Sequence, residues 1–359
     1  MGPPFSKEII SQNSCYFRQQ FAFYRLCVEF GTSFKLAPRC AAQTNSERAM
    51  PVRSLHHVSF TVTDLDKTQQ FAEDFGLLTV EKSNDNLVMK TGGGDAWCYQ
   101  ARPGERGFSS LGFLVDSERD LENAISDHGA TAIRELDTPG GGLGVTLTNP
   151  EGMKVDLVYG IAGDVPIEVQ PELRPNTPAA RTRFGEPQST RPLGPATLYR
   201  LGHLGLFVKD YKASAEWFEK TIGLKVSDSM HVPGNPEHTV VAFMRIDRGE
   251  EWVDHHSVFL AQSDKTDLHH ISFEAQDFEA QARAHRWLLS RGWQPNWGIG
   301  RHPLGCHVFD VWFDPDRYRF ETFTDTDLLN NKHETGHHDI SSHEMDAWSS
   351  KPPEAYFED

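Results

Sequence analysis

Cysteine is scarce in this chain. There are five in 359 residues, at positions 15, 27, 40, 98 and 306, and no two stand at Cys-x-x-Cys spacing. That excludes a disulfide scaffold and the common zinc-ribbon and redox motifs, and it points to a reducing, intracellular (cytoplasmic) setting. No run approaches the roughly 18 consecutive apolar residues that a membrane span requires. Positive charge is in deficit: 35 Lys and Arg stand against 51 Asp and Glu, a formal net charge of -16. Phosphate backbones demand a basic surface, so nucleic acid is excluded as a partner. At 359 residues the chain exceeds one ordinary core and suits two domains with tails.

Residues 1–53 read differently from the rest. They hold three of the five cysteines and carry seven Lys and Arg against three Asp and Glu. A basic, acid-poor leader is either disordered or a targeting segment, in which case the address is mitochondrial; without a long apolar stretch it is not a secretory signal.

From residue 54 the sequence repeats itself. Leu55-His56-His57-Val58-Ser59-Phe60, Leu201-Gly202-His203-Leu204-Gly205-Leu206 and Leu268-His269-His270-Ile271-Ser272-Phe273 each open an alternating apolar run, the mark of a strand. A helical stretch follows. Asp64 to Gly76 and Asp210 to Gly223 begin on a capping Asp and stop at Gly, and Tyr211, Ala215, Phe218 and Ile222 recur at helical spacing. Further strands come next. A weaker copy starts near Leu111-Gly112-Phe113. The expected architecture is therefore α+β: four strand–helix–strands modules paired into two domains, 54–160 and 198–325. A Pro-, Arg- and Thr-rich linker (161–197) joins them and an acidic tail (326–359) follows. The tail histidines 333, 337, 338 and 343 fit no closed metal site and read as solvated, while Trp348, Tyr356 and Phe357 suggest that part of the tail docks.

In the second pair of modules, two strand starts supply His203 and His270, and the final strand, Tyr318 to Phe323, supplies Glu321. Two imidazoles and one carboxylate make the facial triad that holds non-haem Fe(II) and leaves positions open for substrate and O₂. If the strands curve around one cavity, a histidine at the same place in two sister modules meets its counterpart at a single metal.

The segment Gly300-Arg301-His302-Pro303-Leu304-Gly305, running through Phe309-Asp310 and Asp314-Pro315 to Glu321, closely resembles the signature of type I extradiol dioxygenases of the vicinal oxygen chelate superfamily. Asp254-His255-His256-Ser257-Val258-Phe259 and Leu268-His269-His270 stand in that family's order and at close to its spacing. The resemblance spans about residues 54–330. It implies the vicinal oxygen chelate fold of βαβββ modules, an aromatic-diol substrate cleaved with O₂, Fe(II) or alternatively Mn(II) as the metal, and a homo-oligomer. It implies His203, His270 and Glu321 as ligands, His256 as acid and base toward the substrate, and His302 as the residue orienting the diol. His255 and His269 are left structural.

The first pair of modules is an internal control. His57 aligns with His203 and Asp156 with Glu321, but the position aligned with His270 is Leu111, which ligates nothing. That pair resembles the family's degenerate, metal-free N-terminal domain. Two departures stand out in the second pair. The tyrosine the family carries nine residues after the histidine matched by His302 is Val311 here, and Arg317 occupies a turn that expects glycine. The readings that compete are a 4-hydroxyphenylpyruvate dioxygenase-like enzyme, a glyoxalase-like isomerase and a non-catalytic binding protein on the same scaffold.

Overall fold

The structure is a computed structural model that describes residues 52–171, 174–185, 191–342 and 344–356. The leader up to residue 51, His343 and Phe357 lie outside the described residues.

The first module is β1 (Val52–Val62), α1 (Leu65–Phe75), β2 (Leu78–Lys82), β3 (Leu87–Lys90) and β4 (Tyr99–Pro103). The second is β5 (Gly107–Val115), α2 (Glu118–His128), β6 (Arg134–Glu135), β7 (Leu143–Thr148) and β8 (Lys154–Tyr159). The third is β9 (Leu198–Val208), α3 (Tyr211–Trp217) with a π-helical turn over Phe218–Ile222, then β10 (Leu224–His231), β11 (Thr239–Ile246), β12 (Val253–Asp254) and β13 (Val258–Gln262). The fourth is β14 (Asp267–Ala275), α4 (Phe278–Arg291), β15 (Pro295–Arg301), β16 (Val308–Phe313) and β17 (Arg319–Thr324), followed by β18 (Leu328–Leu329) and β19 (Gly336–Asp339).

The strands build two sheets of the same plan. One runs β2-β3-β4-β1-β5-β8-β7-β6 and the other β15-β16-β17-β14-β9-β13-β11-β10-β19. At the centre of the first, β1 and β5 pair antiparallel, and each pairs in parallel with the last strand of its own module, β4 and β8. In the second, β9 and β14 repeat this with β13 and β17. The helices begin where the sequence signals say. Asp64 and Asp210 accept the backbone N–H of Lys67 and Ala213, and α1 ends at Gly76 with φ 130°.

One continuous core joins the two halves. Phe71 and Phe75 of α1 meet Phe320 of β17 edge-on at 5.1 and 5.5 Å, and Phe71 also meets Trp293 at 5.2 Å. Asp316 caps the backbone of Thr63 across the same boundary, and Arg291 and Trp293 both donate to Asp74. The helices cover part of each apolar strand face, with Leu121 and Ala124 in the first half and Ala284 and Leu288 in the second, and the two halves share the rest of the core. None of the described helices is long and apolar enough to cross a membrane.

The turn before β17 repeats the one before β8. The Asn149 side chain accepts the N–H of Met153, as Asp314 accepts that of Tyr318. Gly152 sits at φ 87° and Arg317 at φ 66°, so the arginine bears the left-handed backbone that glycine tolerates freely. That costs about 1–2 kcal/mol. The guanidinium lies 4.0 Å over the Phe313 ring, which returns about 0.5–1 kcal/mol.

The same turn predicts a pH effect. Burial pushes the Asp314 carboxyl up to about 8 from an ordinary 3.8, and the Asp316 charge adds to it. A raised acid pKa means that the folded state holds the proton more tightly than the unfolded one. Its contribution is fully present below about pH 4 and is lost as pH rises to 8. Asp314→Asn, which copies Asn149, is expected to raise stability by about 1–3 kcal/mol at pH 8 and to change little at pH 4. Urea unfolding at the two pH values checks it. A gain equal at both, or none at pH 8, contradicts the assignment.

Candidate metal centre

β9, β14 and β17 lie side by side, and their pairing sets the site. Ser272 pairs with His203 on one flank and with Glu321 on the other. His270 is the next residue of β14 on the His203 face, in unbroken register opposite Gly205, and the register breaks only past it, between His270 and Leu268. Gly205 makes room for it, since a Cβ there would lie 2.5 Å from the His270 Nδ1. His203, His270 and Glu321 are 3, 5 and 1% exposed. One donor atom from each lies within 4.8 Å of the other two. The structure thus brings together the three residues the sequence selects as ligands.

Their electrostatics suit a cation. Burial opposes ionisation of Glu321, yet the hydrogen bond with His203 and the neighbouring His270 hold its carboxyl well below the usual range. Burial lowers His203 despite the Glu321 charge, and it pushes His270 down to about 3. An ionised carboxylate facing neutral imidazoles is the donor state that metal binding needs. His203 Nε2 lies 3.1 Å from the Glu321 Oε1, and the Ser272 hydroxyl donates to that same oxygen at 2.6 Å, fixing its direction. The donors are nitrogen and oxygen alone. Such a set suits Fe(II) or Mn(II), with fewer protein donors than either takes, so positions stay open.

His256 packs beside His203, ring centroids 4.4 Å apart, and closes one side of the site. Burial and then the neighbouring imidazoles of His203 and His255 lower it well below the ordinary histidine value. Its Nδ1 lies 3.0 Å from the His255 Nδ1, and His255 Nε2 is 2.7 Å from Asp228. The other Asp228 oxygen meets His338 Nε2 at 2.6 Å. His255 therefore belongs to a buried chain that orients His256, which the sequence reading left as structural. His302 lies on the far side, its ring stacked 4.2 Å from Phe309 and its Nδ1 2.6 Å from the Met345 carbonyl oxygen.

The tail is not the solvated appendage that its composition suggests. β19 adds to the sheet parallel to β10, His337 meets the Ser229 hydroxyl, and the Trp297 indole donates to the Ser350 carbonyl. Tyr356 is buried against Trp297 and His269, at 4.8 and 4.9 Å. It shares a cluster with Val311 and Phe309, so the position where the resembled family carries a tyrosine is packed with hydrocarbon and covered by a tail aromatic. Tyr318 points the other way, onto Phe60 of the first sheet.

His307 is the residue sequence reasoning missed. It follows a tight turn in which Gly305 and Cys306 both have positive φ, 75° and 53°, and Arg301 donates to the Cys306 carbonyl. That turn carries the chain back, so that His307 and His302 each offer a donor atom within 4.8 Å of Glu321. Strand alternation gives no signal for a side chain aimed by left-handed turn residues.

The first sheet corrects one alignment. His57 pairs with Gly112 and Gly112 with Asp156, as His203 pairs with Ser272 and Ser272 with Glu321. The offset along β5 and β14 is therefore 272 − 112 = 160, which matches His270 to Ser110; Leu111 matches the core residue Ile271. The hydroxyl of Ser110 holds Asp156, which also accepts from Arg134 at 3.1 Å. A cavity of about 660 Å³ remains there, lined by His57, Trp97, Arg134 and Asp156, but without the second imidazole.

Residues 200–322 match the family described as the Glyoxalase/Bleomycin resistance protein/Dioxygenase superfamily. The chain is 23% identical over 272 residues to metapyrocatechase 2 of Cupriavidus necator, covering 74% of this chain and 78% of that protein. It is similar in structure to the Mn(II)-bound glyoxalase from Novosphingobium aromaticivorans, with a TM-score of 0.69, 20% identity and 85% and 94% of the two chains covered. It is also similar to homoprotocatechuate 2,3-dioxygenase from Brevibacterium fuscum in its anaerobic complex with 3,4-dihydroxyphenylacetate. There the TM-score is 0.70 at 16% identity, covering 87% and 93%. At these identities the structural likeness is one of fold.

Proposed function

We propose that this chain, a member of the glyoxalase/bleomycin resistance protein/dioxygenase superfamily, is an Fe(II)-dependent extradiol dioxygenase that opens the ring of a catechol-type diol with O₂. The observation that carries this reading is the convergence of His203, His270 and Glu321 within 4.8 Å in one buried pocket, with His256 against it. The likeness to metapyrocatechase 2 supports the substrate class.

His203, His270 and Glu321 hold the metal, with Mn(II) accommodated by the same donors. When bound, the metal supplies Lewis acidity toward the diol oxygens and a redox route from the ring to O₂. The protein's part is positional and protonic. Neutral His256 takes the proton from a diol hydroxyl and returns it as the ring opens, held in place through its Nδ1 by His255. His302, braced by the Met345 carbonyl, fixes the orientation of the diol. Both atoms of O₂ end in the ring-opened product, so no further oxidant or reductant is required. The first sheet is a scaffold: with Ser110 in place of the second histidine, its cavity holds no such metal.

Anaerobically purified protein loaded with Fe(II) is expected to take up one O₂ per diol from a catechol panel and to give a yellow, pH-sensitive product. Chelating the metal should abolish uptake. Uptake with 4-hydroxyphenylpyruvate alone would move the assignment to the 2-oxo acid dioxygenases. Isomerisation of a glutathione hemithioacetal without O₂ would move it to the glyoxalases. Bound catechol without turnover would leave a binding protein.

A further inference from the structure

The site contains one imidazole with no assigned task. His307 is 2% exposed, and neither of its ring nitrogens has a hydrogen-bond partner among the described residues. Its Nε2 lies 3.6 Å from the Glu321 Oε1, too long for a hydrogen bond. Its ring stands 5.2 Å from His203, 5.6 Å from His256 and 4.9 Å from His302. It is therefore enclosed by the proposed ligand, acid–base and orienting residues.

A buried imidazole must donate from one nitrogen and accept at the other, and leaving both unmet costs about 1–3 kcal/mol for each group. A buried group that no side chain satisfies, at the centre of a binding site, is satisfied by what binds there. A second metal is one candidate, since His302, His307 and Glu321 also bring donor atoms within 4.8 Å of one another. Charge argues against it. Two dications would share a single carboxylate, because Asp254 is engaged by Arg200 and Asp310 by His285 and Trp312. An excess of three positive charges in a buried pocket is strongly disfavoured.

We propose that His307 is a substrate-contacting residue, whose free ring nitrogen hydrogen bonds to an oxygen of the bound diol. The inference rests on the dioxygenase reading and assigns a third imidazole, after His256 and His302, to the diol side of the pocket. It confines the substrate class: the diol must present an oxygen toward the His302–His307 turn as well as toward the metal.

The test uses Fe(II)-loaded full-length protein, kept anaerobic, and 4-nitrocatechol as a coloured probe. His307→Gln keeps a donor and an acceptor, while His307→Phe keeps bulk and removes both. Wild type and both variants are expected to hold one metal per chain and to melt alike. The Phe variant is expected to bind the probe about 10- to 100-fold more weakly, the worth of one charge-assisted hydrogen bond, with a changed visible band for the bound diol. The Gln variant should recover most of that loss. Equal affinity and an unchanged band in the Phe variant, with metal retained, overturn the inference and leave the dioxygenase reading intact. Two metals per wild-type chain falling to one in either variant assign His307 to a second cation and overturn it too. Wild-type protein that holds metal but does not bind the probe overturns both readings together. Should the Phe variant not fold, an unchanged affinity and band in the Gln variant, together with a wild-type band that shows no perturbation by the protein, count against the contact.

Discussion

Glu321→Ala protein is expected to keep its fold and lose its metal. Glu321 supplies the one carboxylate of the candidate ligand groups found among the described residues, and two neutral imidazoles remain without it. Removing a mere orienting partner of a ligand typically weakens metal binding about 10- to 100-fold. Removing the charged ligand should cost well beyond that, so bound metal after desalting should fall to background. The fold should survive, because Glu321 stabilises no element across the core. Its contacts are His203, Ser272 and the His307 edge, and the packing of β17 on α1 runs through Phe320 on its other face. Metal analysis of anaerobically loaded protein, with circular dichroism as the folding control, checks it. Stoichiometric metal in a folded Glu321→Ala protein would sink the triad. Asp156→Ala in the first sheet is the matched control and should leave metal content unchanged, because Ser110 stands where a second imidazole is needed.

Much of this site was legible in the sequence because duplication supplied its own ruler. His203 and His270 were marked by their place at the start of sister strands, and Glu321 by the turn that precedes the last one. Two parts failed for physical reasons. The pairing of His270 with Leu111 was one residue out: the two copies share their register from Gly112 to Ser110 and from Ser272 to His270, but the apolar pattern alone does not fix it, and a one-residue slip exchanges the two faces of a strand. Ser110, not Leu111, looks into the first cavity. His307 was invisible because its direction comes from two consecutive left-handed residues, one of them a cysteine that no propensity would place there. The tail deceived by composition. Its charges read as solvated, but His338 meets Asp228, its backbone completes the sheet edge at β10, and Tyr356 covers Val311.

His256→Gln protein is the converse case: metal held, turnover lost. His256 donates no atom to either group of candidate ligands, so one metal per chain should remain. Glutamine retains a polar group toward the His255 Nδ1, which limits the cost of an unmet buried partner that alanine would incur. It does not take and return a proton. A positioned acid–base residue contributes about 10²- to 10⁴-fold, so kcat should fall by that factor while the affinity for 4-nitrocatechol stays within a few-fold of wild type. The split between kcat and affinity separates a proton role from a packing role. The imidazole touches His203 and Phe243, and a purely steric function would disturb diol binding at least as much as turnover. Wild-type kcat in the metal-loaded variant would remove His256 from the mechanism. Equal losses in affinity and kcat/KM, with kcat preserved, would reassign it to positioning the diol. A fall in kcat alone leaves the neutral, buried imidazole beside His203 as the group that handles the proton.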